Sequence, residues 1–186
     1  MDRQEAAALL KLPVAELISI ADRARQEASG NVLELCNIMN AKSGMCGEDC
    51  KFCAQSSRHS TGASTYPLKT RAEMLESAKR AKVMGAHRFD IVTSGNLLTK
   101  DDLRTIAEAI REIREKIGID MCASLGELSE DSLTLLKRSG LSRYHHNIET
   151  SRSFFPKIVT THSFEDRLET IRSAKKAGLE VCSGGI

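Results

Sequence analysis

Cys46, Cys50 and Cys53 stand in a Cys-x3-Cys-x2-Cys spacing, half of the six cysteines in a chain of 186 residues. Thiolates are soft ligands, and three of them on one short stretch can wrap one face of a metal centre. Glu48 and Asp49 sit between the first two, and their negative charge opposes thiolate formation, so a bound metal is needed to keep all three deprotonated. Two centres suit this donor set. Zinc would take a fourth ligand, and His59 is within reach along the chain for a structural site of three cysteines and one histidine. A four-iron cluster held by only three cysteines would instead leave one iron open to a substrate or cofactor. The spacing is too tight for an ordinary disulfide framework, which a chain of this length with 41% hydrophobic residues does not need.

The rest of the chain must position that trio. Residues 4–28 read as two short helices, with Pro13 in the first turn of the second and Gly30 ending it. An apolar run at Val32–Met39 reads as a strand, followed by a long loop from Asn40 to about Tyr66 that carries the cysteines. Helices are expected at about 71–83, 101–116, 131–139 and 164–177, with strands at 87–93, 119–124, 141–148 and from 179 onward. Thr99, Ser129 and Ser163 fit as N-caps, and Gly85, Gly118, Gly140 and Gly178 as stops. Strand, loop, helix and glycine recur at about 30 residues, the size of a βα repeat. Such alternation gives an α/β fold with a parallel sheet covered by helices. Polar residues at Asn37, Asp90, Ser124, Asn147 and Ser183 place a ligand site at the strand C-termini, as in barrels and doubly wound sheets. No glycine-rich loop joins the first strand to a helix, which disfavours a dinucleotide-binding unit. The expected architecture is a partial (β/α) TIM-type barrel, about five of eight units, over residues 31–186, preceded by a helical segment at 1–30.

The stretch Asn40-Ala-Lys-Ser-Gly-Met-Cys-Gly-Glu-Asp-Cys-Lys-Phe-Cys-Ala-Gln-Ser56 resembles the radical S-adenosylmethionine (SAM) signature of the biotin synthase family. Tyr144-His-His-Asn-Ile-Glu-Thr-Ser151, Thr160-Thr161 with Arg167, and Val181-Cys-Ser-Gly-Gly-Ile186 are similar to that family's later segments. The resemblance implies that Cys46, Cys50 and Cys53 hold a 4Fe-4S cluster whose open iron chelates SAM. One electron then splits the sulfonium to a 5′-deoxyadenosyl radical, which takes hydrogen from dethiobiotin so that sulfur can be inserted. It further implies Phe52 against the adenine, and Asn147, Glu149, Arg167 and Ile186 as cofactor contacts. His145 and Asn147 become substrate contacts, with His145 on the substrate's ureido group. Adjacent strand residues face opposite sides, so His146 is expected to pack, while His87 and His162 are expected to be structural or surface residues. Gly184 and Gly185 would let the backbone approach the cofactor.

By the same resemblance, Cys122 and Cys182 match ligands of an auxiliary iron–sulfur cluster that donates the sulfur. Arg88-Phe89-Asp90 stands where many members carry another ligand cysteine, and a later arginine ligand lies beyond Ile186, so the auxiliary cluster's type is open. Cys36, on the first strand, shares odd-strand layering with Cys122 and Cys182 and is a candidate third ligand. The implied partners are dethiobiotin, a flavodoxin- or ferredoxin-type electron donor and, at full length, a second copy in a homodimer.

Composition excludes other classes. Lys and Arg number 27 against 25 Asp and Glu, a net charge of +2, with no Trp, two Tyr and five Phe, which argues against a nucleic-acid binder. No apolar run approaches the roughly 20 residues that span a bilayer. Asp2, Arg3, Gln4 and Glu5 precede only a short apolar run, unlike a signal peptide, so a cytoplasmic location is expected. A complete barrel needs about 250 residues. This chain reaches only its fifth strand, so exposed sheet edges and a tendency to associate are expected.

Overall fold

The computed structural model describes residues 2–186, in two units, one up to Glu34 and the other Leu35–Ile186. The first unit consists of α1 (Arg3–Leu9) and α2 (Val14–Ser29), and neither helix buries a residue. Asp2 and Glu5 close a capping box on α1. Pro13 is the N-cap of α2, one position earlier than the first turn expected for it.

The second unit is built on five parallel strands in sequence order: β1 (Cys36–Lys42), β2 (Arg88–Thr93), β3 (Asp120–Ser124), β4 (Arg143–His145) and β5 (Glu180–Cys182). Helices α3 (Arg71–Val83), α4 (Lys100–Lys116), α5 (Glu130–Arg138) and α7 (Phe164–Lys176) cross between them, with a single turn, α6 (Phe155–Ile158), ahead of α7. Parallel neighbours in sequence order, each reached through a helix, are the wall of a (β/α) barrel, here five of its eight units.

Alternation along each strand decides what faces what. Met39 and Ala41, Phe89 and Ile91, Met121 and Ala123, and Tyr144 form one buried core with Met74, Ala78, Ile106, Ile110, Ile113, Leu133 and Leu136 of the helices. Ile106, Ile110 and Ile113 lie on one stripe of α4, and each fully buried side chain of that size contributes roughly 1.5–3 kcal/mol. The opposite parity carries the chemistry-bearing residues Cys36, Asp90, Cys122, His145 and Cys182. Thr70, Thr99, Ser129 and Ser163 each accept a backbone N–H at a helix start, with reciprocal Glu73 and Asp166 boxes on α3 and α7.

Three elements differ from expectation. β1 is displaced toward the cysteine loop, because its ladder pairs Cys36 with Arg88 and Lys42 with Thr93 and leaves Val32–Glu34 outside it. β4 stops at His145 instead of running to Ile148: past it the Gly184 N–H donates to the Asn147 side chain (3.0 Å) instead of the backbone, and Glu149 then takes the left-handed region (φ 65°). Pairing resumes only as an isolated Glu149–Gly185 bridge. α6 was not expected: it buries only Phe155, too little periodicity to register in the sequence.

Candidate functional site

The cysteine loop leaves the C-terminal end of β1 and is folded by its own polar groups. Gln55 Oε1 accepts from Ser43 Oγ (3.0 Å) and from the Gly44 N–H (2.5 Å). The Cys46 carbonyl accepts from Ser57 N–H (2.8 Å), and Ser56 Oγ donates to the Glu48 carbonyl (2.5 Å). Cys46 and Cys50 are buried and Cys53 half-buried, and all three line one cleft with Phe52, Gln55, the ends of β2 and β3, Asn147, Glu149 and Arg167. Burial pushes the Cys50 thiol up to about 11; Arg167 opposes this, while Cys53, Cys46 and Glu48 add to it. A bare Cys50 is therefore a neutral thiol near pH 7, and coordination is what makes it a ligand. Three soft donors on one loop fit an iron–sulfur cluster.

For the zinc alternative, the His59 ring N–H already donates to the Cys50 carbonyl (2.9 Å), so one ring nitrogen is committed to folding the loop. Among the described residues, no three His, Cys, Asp or Glu side chains are grouped as a single metal ion requires.

The loop is clasped to the segment before α7. Asp49 accepts from the N–H groups of Thr160 (2.8 Å) and Thr161 (3.3 Å) and from both threonine hydroxyls. Those bonds hold its carboxyl far below the usual carboxylate range. Burial acts to raise Glu48, but hydrogen bonds from Thr161 and His162 outweigh it and hold its carboxyl low. The His162 ring is 2.6 Å from Glu48 Oε2 through Nδ1 and 3.2 Å from Arg167 Nε through Nε2. Arg167 continues to the Asn147 carbonyl (3.1 Å) and faces the Glu149 carboxylate at 3.6 Å. Glu48, Asp49 and His162 were not singled out as site residues. Of the structural or surface roles expected for His162, its side chain takes the structural one, buried within the site, and its only sequence signal is its place between Thr160-Thr161 and Arg167.

At the end of β4, Asn147 Oδ1 accepts from the His145 ring (2.9 Å) and the Gly184 N–H (3.0 Å). Asp90, 3.9 Å from the other His145 ring nitrogen, raises the His145 pKa against the effect of burial. His146, just past the end of β4, is buried against Tyr144 (ring centroids 6.2 Å apart) and also reaches the wall of the main cleft; burial above all lowers its pKa to about 3. Phe52 is 54% exposed at the cleft mouth rather than packed in the core. With Asn147, Glu149, Phe154, Ile158 and Ile186 it lines a second, adjoining cleft. Gly184 and Gly185 line that second cleft, and Gly185 also packs on the Glu149 backbone, where a Cβ would meet the carbonyl carbon at 2.8 Å.

The polar residues expected at the strand ends are only partly there. Ser124 and Asn147 line the main cleft, whereas Asn37 lies near the start of β1 and Asp90 inside β2, where the strand boundaries put them. Thr93, Ser94, Asn96 and Gly126 line the cleft beside Ser124, without having been expected to.

The remaining cysteines share the sheet face opposite the helices. By register Cys122 stands beside Asp90 and Arg143, and Cys182 beside His145. Cys122 is buried, and Cys36 and Cys182 are exposed. Burial first, then the Asp90 charge, raises the thiols of both Cys36 and Cys122. Asp90 Oδ1, though buried, has no hydrogen-bond partner.

Comparison with known proteins places this geometry. The model of the radical SAM superfamily matches residues 42–186. The chain is 51% identical over 170 residues to a biotin synthase of Clostridium tetani, covering 91% of this chain and 52% of that one. It is 55% identical over 154 residues to a biotin synthase of Thermotoga neapolitana, covering 83% and 55%. The chain thus spans about half the length of the curated relatives it matches. Among solved structures, the FeFe-hydrogenase maturase HydG from Carboxydothermus hydrogenoformans superposes with a TM-score of 0.82 at 19% identity, over 100% of this chain and 44% of that one, a likeness of fold. Among the described residues no helix is long and apolar enough to cross a membrane.

Proposed function

The chain belongs to the radical SAM superfamily, and from that membership we propose that it acts as a biotin synthase does, on dethiobiotin, through a cluster held by Cys46, Cys50 and Cys53. The observation that carries the proposal is the three thiols lining one cleft at the strand C-termini, on a loop clasped to Thr160 and Thr161. When bound, the cluster and SAM supply a 5′-deoxyadenosyl radical able to abstract hydrogen from an unactivated carbon.

The chain's own residues bind and orient. Arg167 faces Glu149 at 3.6 Å and its charge also acts on the Cys50 thiol, so it offsets the carboxylate that would face a cofactor's ribose. Phe52, exposed at the mouth and shared by both clefts, suits an adenine face, with Ile186 across the second cleft. Asn147 is fixed by His145 and Gly184, so it meets a ligand already oriented, and His145 offers the substrate a ring held in place. The ends of β2 and β3 form one wall of the cleft, against which a reacting carbon would be held.

For sulfur donation, Cys122 and Cys182 with Cys36 form the proposed auxiliary iron–sulfur site, Asp90 standing in the place of the usual cysteine. Free thiols and the need for a flavodoxin- or ferredoxin-type donor suit a reducing, cytoplasmic compartment. The homodimer is proposed for the full-length protein.

The test is anaerobic reconstitution with iron and sulfide, then reductant, SAM and dethiobiotin. Deoxyadenosine and biotin are expected from the wild type, and neither from Cys46→Ala, Cys50→Ala or Cys53→Ala. A colourless protein with one stoichiometric zinc and no deoxyadenosine would overturn the proposal.

A further inference from the structure

The His162 imidazole lies between two groups that sequence keeps far apart. Glu48, on the cysteine loop, is 114 positions away, and Arg167 is on the first turns of α7. The Arg167 guanidinium can only donate, so the His162 Nε2 that meets its Nε–H at 3.2 Å carries a lone pair. The ring proton is then on Nδ1 and is donated to Glu48 Oε2 at 2.6 Å. A carboxylate on one side and a guanidinium on the other polarise the ring in the same sense, and with a side chain 4% exposed, water does not compete for either bond. Phe155 meets the ring edge to face at 5.6 Å and fixes its plane.

We propose that His162 is a positioning residue that sets the Arg167 guanidinium against the cofactor-binding end of β4, at Asn147 and Glu149. The inference rests on the reading of this cleft as the SAM site. Arg167 divides its donors: Nε goes to His162, and an Nη reaches the Asn147 carbonyl and faces Glu149. Without the ring acceptor, Nε–H has no fixed partner and the guanidinium is free to turn away from Asn147 and Glu149. The loop itself does not depend on His162, because Asp49 holds it independently through the Thr160 and Thr161 backbone. The two roles are therefore separable: loss of His162 should disturb cofactor binding and spare the cluster.

The experiment compares His162→Leu with His162→Gln in anaerobically reconstituted protein. The glutamine amide can donate to Glu48 and accept from Arg167, whereas leucine does neither. Iron and acid-labile sulfide should match wild type in both variants. The SAM concentration needed to change the reduced cluster's electron paramagnetic resonance (EPR) signal should rise about tenfold or more in His162→Leu, as loss of one charge-assisted hydrogen bond implies, and stay within about threefold in His162→Gln. In cluster-free protein, side-chain 1H–15N spectra should show the His162 ring proton on Nδ1. Unchanged SAM affinity in His162→Leu, equal weakening of both variants with loss of iron, or a proton on Nε2 would each overturn the proposal. A wild type that binds a cluster but ignores SAM would overturn the cofactor reading instead, and the tautomer would still decide whether Arg167 is held through His162.

Discussion

Burial that keeps water from a cluster also keeps Cys50 protonated, up to about pH 11, so loading the site must release protons. Iron uptake by the apoprotein is accordingly expected to acidify a weakly buffered solution at pH 7, measurable with a pH indicator; uptake without proton release would mean the thiols were already ionised. His146 makes a second prediction. Its folded pKa, about 3, lies below the ordinary histidine value of 6.5, so between those values the unfolded chain binds the extra proton. Stability from this residue is complete above about pH 6.5 and is lost as pH falls toward 3. His145, raised by Asp90, acts in the opposite sense, so the test is a difference: denaturation midpoints of wild type and His146→Asn should converge as pH falls from 7.5 to 5. The cysteine trio could be read from residue type and spacing alone. Asp49 and His162 could not, because each is defined by a partner more than a hundred positions away that no local pattern marks.

β-strand parity and helix caps were legible because both are local: alternating apolar residues, and a Ser or Thr ahead of each amphipathic stripe. The ends of β1 and β4 were not, since register with a neighbouring strand sets one and the Asn147 side chain's capture of the Gly184 N–H interrupts the other. The turn after β3 shows how elements brace the cleft. Tyr144 of β4 donates to the Gly126 carbonyl at 2.6 Å and accepts from the Leu125 N–H at 3.3 Å. Tyr144→Phe leaves both groups without that partner and is expected to cost about 1–3 kcal/mol in urea unfolding. Gly126 has φ 82°, and a Cβ there would run into the Asn96 carbonyl of the loop after β2. Gly126→Ala is therefore expected to cost more than about 1 kcal/mol, with a change in the cleft that Ala123→Gly would not reproduce.

Across the whole molecule, five parallel strands leave β1 and β5 at the sheet edges, with Ile38 64% exposed on the open face. Such edges pair readily with other chains, so sedimentation of this chain should show association that grows with concentration; a monomer at high concentration would contradict that. The partial barrel was legible because the βα repeat is written in order along the chain, whereas Cys36, Cys122 and Cys182, spread over three strands, carry no local spacing and were singled out only through the family resemblance and strand layering. Cys36→Ala should lower auxiliary iron while sparing the cluster of Cys46, Cys50 and Cys53, and unchanged auxiliary iron would remove Cys36 from that site. The account as a whole turns on a three-cysteine cluster with one iron open to a sulfonium ligand. The most direct measurement is the EPR spectrum of the anaerobically reduced, reconstituted protein before and after SAM: a four-iron signal that shifts on addition is the expected result, and a signal indifferent to SAM would contradict it.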